Sequence, residues 1–472
     1  MDDLPQAQFF FETGIDTEIL LTPCLLTRMS QEKWLADNDV PACMMCGTQF
    51  GFSNRRHHCR RCGRVFCAVC CPEAEFRACL ICVPAKEIDE RLQSPQLYEI
   101  NQFLDNPKLM SLLNQPDEFL RSELLRCLQN SLRNNRTRDQ FLKYFGPMVL
   151  QSLLEYYTAA LKTQSPLFTT IIGIFVNFTA TAQPHYAGYL HECNVPVALL
   201  ASLNQPLPLQ TQILIFHALR NVSYCFQAAK QISEFPGFYQ VCFQVLQTGA
   251  IRAQEFILAI FGNILRVSPE SSKQILPIEP IQGICKSSQI VQVCTQLLFE
   301  KNQSAQIMSM RLIVMLFQSE VAALIIKTEL LKNISRLFKE SEFVQMAAMF
   351  STFQILIEIG RIHKKQKDNT VCLFNKNVVQ NIVECLQSDN AVTSRSAAAV
   401  LHAMAEIDSV KLCTALTDLQ QQFVGTVKGL LENEQFYDVS EHLVECVILL
   451  EKSENEVGKA IKQSIGDLEG VL

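Results

Sequence analysis

The sequence predicts a small module cross-braced by two zinc ions, followed by a large all-α body of stacked helical repeats. Three observations carry this expectation. Eight cysteines fall into four Cys-x-x-Cys pairs between residues 43 and 82. From about residue 91 to Leu472, apolar residues recur at i, i+3, i+4 and i+7, and strand-like alternation is absent. Within that stretch a short phrase built around asparagine returns at a nearly constant step.

The bulk composition agrees. Of 472 residues, 48% are hydrophobic and 19% charged, which suits a large packed core and argues against general disorder. Glycine (17) and proline (18) are sparse, favouring helices over a turn-rich β architecture. A net charge of −6 does not suggest a nucleic-acid partner. The start, Met1-Asp-Asp-Leu-Pro-Gln, is acidic where a signal peptide would be basic. The apolar windows Leu167–Phe178 and Met346–Ile357 fall short of the roughly 20 residues that span a bilayer. A cytoplasmic protein is expected, with any membrane contact peripheral.

Ten of the 20 cysteines lie in the first 82 residues; the others, Cys127 to Cys446, are scattered singly through apolar helical segments as expected of small core residues. The pairs are Cys43/Cys46, Cys59/Cys62, Cys67/Cys70 and Cys79/Cys82. Each two-residue gap lets both thiolates of a tight turn face one metal, and four sulfurs at tetrahedral corners satisfy zinc. The pairs are separated by 12, 4 and 8 residues. The shortest gap is too tight for its two flanking pairs to close around one ion. Interleaving fits better: Cys43, Cys46, Cys67 and Cys70 on one zinc, with Cys59, Cys62, Cys79 and Cys82 on the other. Cys71 is a ninth thiol, read as a bystander.

Between Val40 and Pro72 there is no acidic residue, but there are five arginines: Arg55, Arg56, Arg60, Arg61 and Arg64. Four thiolates on one zinc leave a formal −2, so two or three of these arginines are expected to offset the metal sites. That leaves the run Arg55-Arg56-His57-His58-Cys59-Arg60. A strand through it would alternate its side chains between two faces and cluster guanidinium groups for a compact anion such as a phosphate.

The segment resembles the FYVE zinc finger family, whose signatures are W-x-x-D, R-[RK]-H-H-C-R and R-V-C. The matching residues are Trp34-Leu35-Ala36-Asp37, Arg55-Arg56-His57-His58-Cys59-Arg60 and Arg77-Ala78-Cys79, the last with alanine in place of valine. The resemblance covers about 55 residues and implies a finger of short β-strands with a C-terminal helix, spanning 31–90, with the same interleaved pairing. It also implies binding of phosphatidylinositol 3-phosphate on the cytoplasmic face of early endosomes or related vesicles. Arg55, Arg56, Arg60 and Arg77 would meet the phosphates; Asp37, His57 and His58 would hold the inositol hydroxyls. A histidine on an anion binds it better when protonated, so release is expected as pH rises from about 6 to 8.

In the resembling family the loop before the basic run carries apolar residues into the bilayer. Here it reads Phe50-Gly51-Phe52-Ser53-Asn54, with Phe52 at the tip and Phe50 expected to pack inside. Burying Phe52 would contribute roughly 1.5–3 kcal/mol. Stable attachment would need a second contact, for which a homodimer is one source. The chain departs from the family between Cys70 and Cys79, where only eight residues stand and two of them are Glu73 and Glu75. Zinc binding should survive that change; lipid affinity is the property it puts at stake.

The all-α body, 91–472, is read from its repeats. The phrase appears around Asn130, Asn177, Asn221 and Asn263, at steps of 47, 44 and 42 residues. Apolar helices continue near Leu312–Phe317, Phe353–Ile359, Val400–Ala405 and Leu443–Leu450. The pattern resembles armadillo repeats, with HEAT-like units as the alternative. The asparagines are expected to cap helices or bond between turns. His185, His191, His217, His363, His402 and His442 are dispersed, each read as core or surface, and Arg361–Lys367 reads as a solvated loop. Phosphate-loop, H-E-x-x-H and G-x-S-x-G motifs are absent. The expected function is a non-enzymatic adaptor: the finger reads the lipid and the solenoid holds an unidentified protein. One alternative is a RING-type ubiquitin ligase, which shares the cross-brace but uses a histidine ligand and an apolar groove. The other is a finger that has lost lipid binding and docks a protein. Residues 1–30, with Phe9-Phe10-Phe11 and Ile19-Leu20-Leu21, have no assigned role.

Overall fold

The computed structural model describes residues 31, 34–73, 77–83, 117–132, 135–165, 167–181, 183–271, 275, 289–317, 328–361, 370–431, 437–453 and 455–465. The expectations for residues 1–30, for the helical pattern opening at Lys86–Leu92 and for most of the Arg361–Lys367 loop lie outside them. The chain folds as two compact units that divide after Gln231, within the helical body.

The first unit, Ile15–Gln231, contains the cysteine module and the first helices. Strands β1 (His57–His58) and β2 (Val65–Phe66) pair antiparallel, with His57 opposite Phe66 and His58 opposite Val65. The helices are α1 (Glu118–Ser131), α2 (Asn135–Thr163), α3 (Leu167–Thr179), α4 (Pro184–Glu192), α5 (Val195–Leu203) and α6 (Leu209–Val222). Helix α7 (Phe226–Ser233) straddles the division. Local chemistry sets several starts. Asp117 caps α1 by accepting from Leu120 N at 2.8 Å. Pro184 and Pro196 occupy first-turn positions of α4 and α5, where the missing amide costs nothing. Helix α3 is buried almost all round, which is why its sequence shows so little polar face. It packs against α1, α2 and α6, and Phe141, Phe178 and Tyr186 meet edge-on at centroid distances of 5.9 and 5.3 Å.

The second unit carries α8 (Phe238–Leu246), α9 (Ile251–Val267), α10 (Gln289–Leu297), α11 (Gln303–Phe317), α12 (Thr328–Arg336) and α13 (Glu342–Arg361). It continues with α14 (Lys376–Leu386), α15 (Ala391–Leu416), α16 (Gln420–Leu431), α17 (Tyr437–Glu451) and α18 (Glu456–Ile465). Helices α9, α11, α13, α15 and α17 pack in succession, each on the next, and the four apolar segments read from the sequence all lie in this series. Such nearest-neighbour packing is consistent with a solenoid. Helix α15 breaks at Asp408 (φ −159°, ψ 88°), whose carboxylate accepts Lys411 N at 3.0 Å and restarts the helix. Part of α13, Glu342–Gly360, is 19 residues long and apolar enough to cross a membrane by length and composition. More than half of it is buried between α11 and α15, which makes it a core helix.

The repeated asparagines are all buried, and the bonds of Asn177 and Asn263 run between helices rather than to a cap. Asn177 on α3 donates Nδ2 to Gln129 O on α1 at 2.8 Å. Asn263 on α9 accepts through Oδ1 from Arg311 Nη2 on α11 at 2.7 Å, while Arg311 Nη1 reaches Ala259 O at 3.2 Å. These asparagines stitch one helix pair to its neighbour. Gly262 makes room for that arginine: a Cβ there would stand 2.5 Å from Arg311 Nη1. Asn263→Ala should leave a buried guanidinium short of an acceptor and cost about 2–3 kcal/mol. The check is the urea midpoint of the helical signal, which should fall.

Among the described single cysteines of the body, all but the half-buried Cys372 are buried, as expected of core residues. Burial pushes the thiols of Cys294 and Cys385 up to about 12, so they stay protonated.

Candidate functional site

All four Cys-x-x-Cys pairs adopt one local geometry. The amide four residues after each first cysteine donates to that cysteine's carbonyl: Gly47 to Cys43 at 2.9 Å, Gly63 to Cys59 at 2.8 Å, Cys71 to Cys67 at 2.9 Å and Val83 to Cys79 at 3.0 Å. The first two turns close through the left-handed region, at φ +68° and +67°, where glycine fits without strain. Cys59/Cys62 sits in the turn between β1 and β2, so the hairpin itself separates the second pair from the third.

The pairs come together in alternation. The sulfurs of Cys43, Cys46, Cys67 and Cys70 lie within 4.8 Å of one another, and so do those of Cys59, Cys62, Cys79 and Cys82. These donor sets fit zinc. Tetrahedral Zn–S bonds of about 2.3 Å imply S–S edges of about 3.8 Å, and Cys46 and Cys67 stand 3.8 Å apart. The second set is fully buried, whereas Cys46 of the first is exposed. Two amides already point at sulfur, Cys79 N to Cys59 Sγ at 3.3 Å and Cys82 N to Cys79 Sγ at 3.4 Å. Cys71 is buried outside both sets, and burial pushes its thiol up to about 12.

The five arginines divide into two groups. Arg61 is buried and donates to Cys82 O at 3.4 Å. Arg64 donates to Cys62 O at 3.3 Å, reaches both oxygens of Asp117 at 2.9 Å, and lies 4.0 Å above the Phe119 ring centroid. These two support the metal clusters and tie the module to α1. Nothing in the sequence marked Asp117 or Phe119 as partners, because they lie more than fifty residues away.

Arg55 and Arg56 are exposed, and Arg60 is half-buried. Arg60 N pairs with Arg77 O at 2.9 Å, which brings the third signature beside the second. Arg77 also donates to His57 Nδ1 and pairs with Glu73 at 3.3 Å. A guanidinium can only donate, so the Nδ1 it touches is unprotonated. Partial burial, then the Arg77 charge, hold His57 below the ordinary imidazole range. His58 faces the first signature: its ring stacks on Trp34 at 4.9 Å, its Nε2 meets Leu35 O at 2.8 Å, and Asp37 lies 3.7 Å away. Arg56 is partly committed as well, donating Nε to Val40 O at 3.2 Å and lying 4.9 Å over Phe50. Phe50 is thus half-buried under a guanidinium, while Phe52 is 98% exposed at the tip of a turn closed by Gly51 N to Asn54 O at 3.0 Å. The pairing of Glu73 with Arg77 is a feature that motif matching alone did not reveal.

Comparison with known proteins points the same way. Residues 33–99 match the family model of the FYVE zinc finger. Zinc finger FYVE domain-containing protein 16 of Mus musculus is 51% identical over 47 residues. The 1-phosphatidylinositol-3-phosphate 5-kinase FAB1A of Arabidopsis thaliana is 54% identical over 44, and early endosome antigen 1 of Homo sapiens 52% over 44. These alignments cover 9–10% of this chain and 2–3% of those proteins. The fold is similar to the crystal structure of an engineered protein from the Northeast Structural Genomics Consortium. That likeness has a TM-score of 0.57 at 18% identity and covers 76% of this chain and 82% of the other. Signatures, donor sets and family match fall on one segment, and the chain carries a FYVE zinc finger within residues 33–99.

Proposed function

We propose that this chain is a non-enzymatic peripheral membrane adaptor with a finger at 31–90 and a helical body at 91–472. The finger binds phosphatidylinositol 3-phosphate on early endosomes or related vesicles, and the body holds a protein partner. The observation that carries this reading is the joining of the basic run to Arg77 through Arg60 N, with the fully exposed Phe52 three residues before Arg55. Arg55, Arg56, Arg60 and Arg77 would take the phosphates; Asp37, His57 and His58 would select the hydroxyls. The name of one relative includes phosphatidylinositol 3-phosphate and that of another the early endosome, which supports the lipid and the place. One of those relatives is a kinase, so the adaptor reading rests on the body: stacked helices offer extended binding surface. A groove of about 800 Å³ lined by Lys332, Arg336, Phe374, Lys376 and Lys411, with Lys376 and Lys411 paired to Asp418 and Asp408, is one such surface.

The deciding experiment is co-sedimentation of the full chain with vesicles carrying each phosphoinositide in turn, alongside Phe52→Ser. Selective pelleting with the 3-phosphate, weakened by Phe52→Ser, supports the reading. Equal pelleting with every phosphoinositide, or with none, removes it. A protein concentration series on vesicles also tests the dimer, since two fingers acting together would give steeper binding than one.

Glu73 gives a further prediction. Its carboxylate is 91% exposed and pairs with Arg77 at 3.3 Å, so an arriving phosphate must displace it. An exposed pair is a weak competitor, and Glu73→Gln should tighten vesicle binding by about two- to fivefold. Unchanged affinity would place the phosphate away from Arg77.

The depressed His57 also moves the expected pH response. A bound phosphate raises the imidazole pKa, so affinity grows as pH falls from the bound value to the free one. The free value lies below 6.5, so the full gain arrives only under that pH rather than across 6 to 8. Pelleting between pH 5.5 and 8, on the order of the imidazole range, checks this. A flat profile would take His57 out of the headgroup contacts.

A further inference from the structure

Among the described residues, the body holds one more group of metal-ligating side chains, outside the finger. His402 on α15 faces His442 and Glu445 on α17, and their ligand atoms lie within 4.8 Å of one another. His402 Nδ1 stands 3.4 Å from His442 Nδ1 and 3.0 Å from Glu445 Oε2. A tetrahedral ion with bonds of about 2.0–2.1 Å has edges of about 3.3 Å, so both separations are close to those of two ligands sharing one zinc. The repeat explains how the group assembles. His402 and His442 are 40 residues apart, one repeat step, so they occupy matching places on consecutive packed helices. Glu445 follows His442 by three residues, which puts both on one face of α17. Phe353 of α13 meets the His442 ring at 5.6 Å and fixes its plane.

We propose that His402, His442 and Glu445 form a third metal site that takes a zinc-like divalent ion and staples α15 to α17. Two imidazoles and a carboxylate suit such an ion, and they differ in kind from the all-sulfur sets of the finger. All three residues are half-buried, within reach of an ion from solvent. Glu441 and Arg395 also act on His442, and with Glu445 they leave the site and its divalent ion at a formal +1.

The test uses the full chain with both cysteine sets loaded with zinc, titrated with Co²⁺. One Co²⁺ should bind per chain, with visible d–d absorption but without the thiolate-to-cobalt charge-transfer band that a cysteine site gives. His402→Ala should abolish this uptake. Glu445→Gln keeps size and hydrogen-bonding capacity while removing the charge, and should weaken uptake in a chain whose circular dichroism matches wild type. Zinc added in place of cobalt should raise the melting temperature of the wild-type body and not that of Glu445→Gln. No uptake by the wild-type chain, or equal uptake by wild type and His402→Ala, would show a hydrogen-bonded cluster without a metal role, and equal uptake by wild type and Glu445→Gln would remove Glu445 from the ligands and overturn the three-residue site.

Discussion

Stripping both zinc ions from the finger is expected to unfold it and abolish vesicle binding, while most of the helical signal survives. The finger has little else to hold it. Apart from cysteines, its buried apolar residues among those described are Val40, Val65, Phe66, Ala78 and Ile81, and its strands are two residues each. A core that small does not offset the conformational entropy of ordering the segment, so ligation supplies the difference. The helices rest on their own packing: α3 packs on α1, α2 and α6, and α9, α11, α13, α15 and α17 pack each on the next. The chain reports this directly, because Trp34 is its single tryptophan and stacks on His58 in the finger. A strong chelator should shift and quench Trp34 emission, with circular dichroism at helical wavelengths nearly unchanged. Parallel loss of both signals would mean that the body depends on the finger.

The second large effect separates the two groups of arginines. Arg55→Ala and Arg60→Ala should each weaken binding to phosphatidylinositol 3-phosphate vesicles by about 10- to 100-fold, the range for a hydrogen bond to a charged group. Arg55 is the cleaner probe, because Arg56 also braces Phe50 and Val40. Arg61→Ala and Arg64→Ala remove support from Cys82 O, Cys62 O and Asp117 instead. They should lower the melting point of the Trp34 signal, and weaken pelleting only as far as the finger unfolds. Vesicle affinity and Trp34 melting, measured on the four variants, distinguish the groups. If all four lose affinity without a change in melting, the division drawn from the structure is wrong.

Much of this was legible in the chain itself, for a physical reason. Two-residue cysteine spacings and a four-residue gap restrict the metal pairing to very few arrangements, so the interleaved sets follow from the spacing alone. The helical body was equally legible through its period, since stacked units must repeat their apolar face. The asparagines were placed correctly as structural, but their partners were not. The residue that Asn263 accepts from, Arg311, is 48 positions on, and no local pattern encodes that contact. The His402 cluster was missed for the same reason: reading each histidine alone hid the fact that one repeat step brings two of them face to face. Glu73 was noticed as an acidic departure, but only the fold shows that its charge rests on Arg77.

Arg64 joins the finger to the rest of the first unit in a way that bears on mechanics. Its guanidinium is held by two carboxylate oxygens of Asp117, one carbonyl of the finger and the face of Phe119. The same Asp117 starts α1. A module joined only by loose chain would let its cargo swing freely beneath the bilayer. A pinned one passes load: with the finger on a membrane and a partner on the helices, as proposed, tension on that partner would reach the lipid through this joint. Asp117→Asn would loosen this joint by removing the charge and one of its two accepting oxygens, while Cys62 O and the face of Phe119 still hold Arg64.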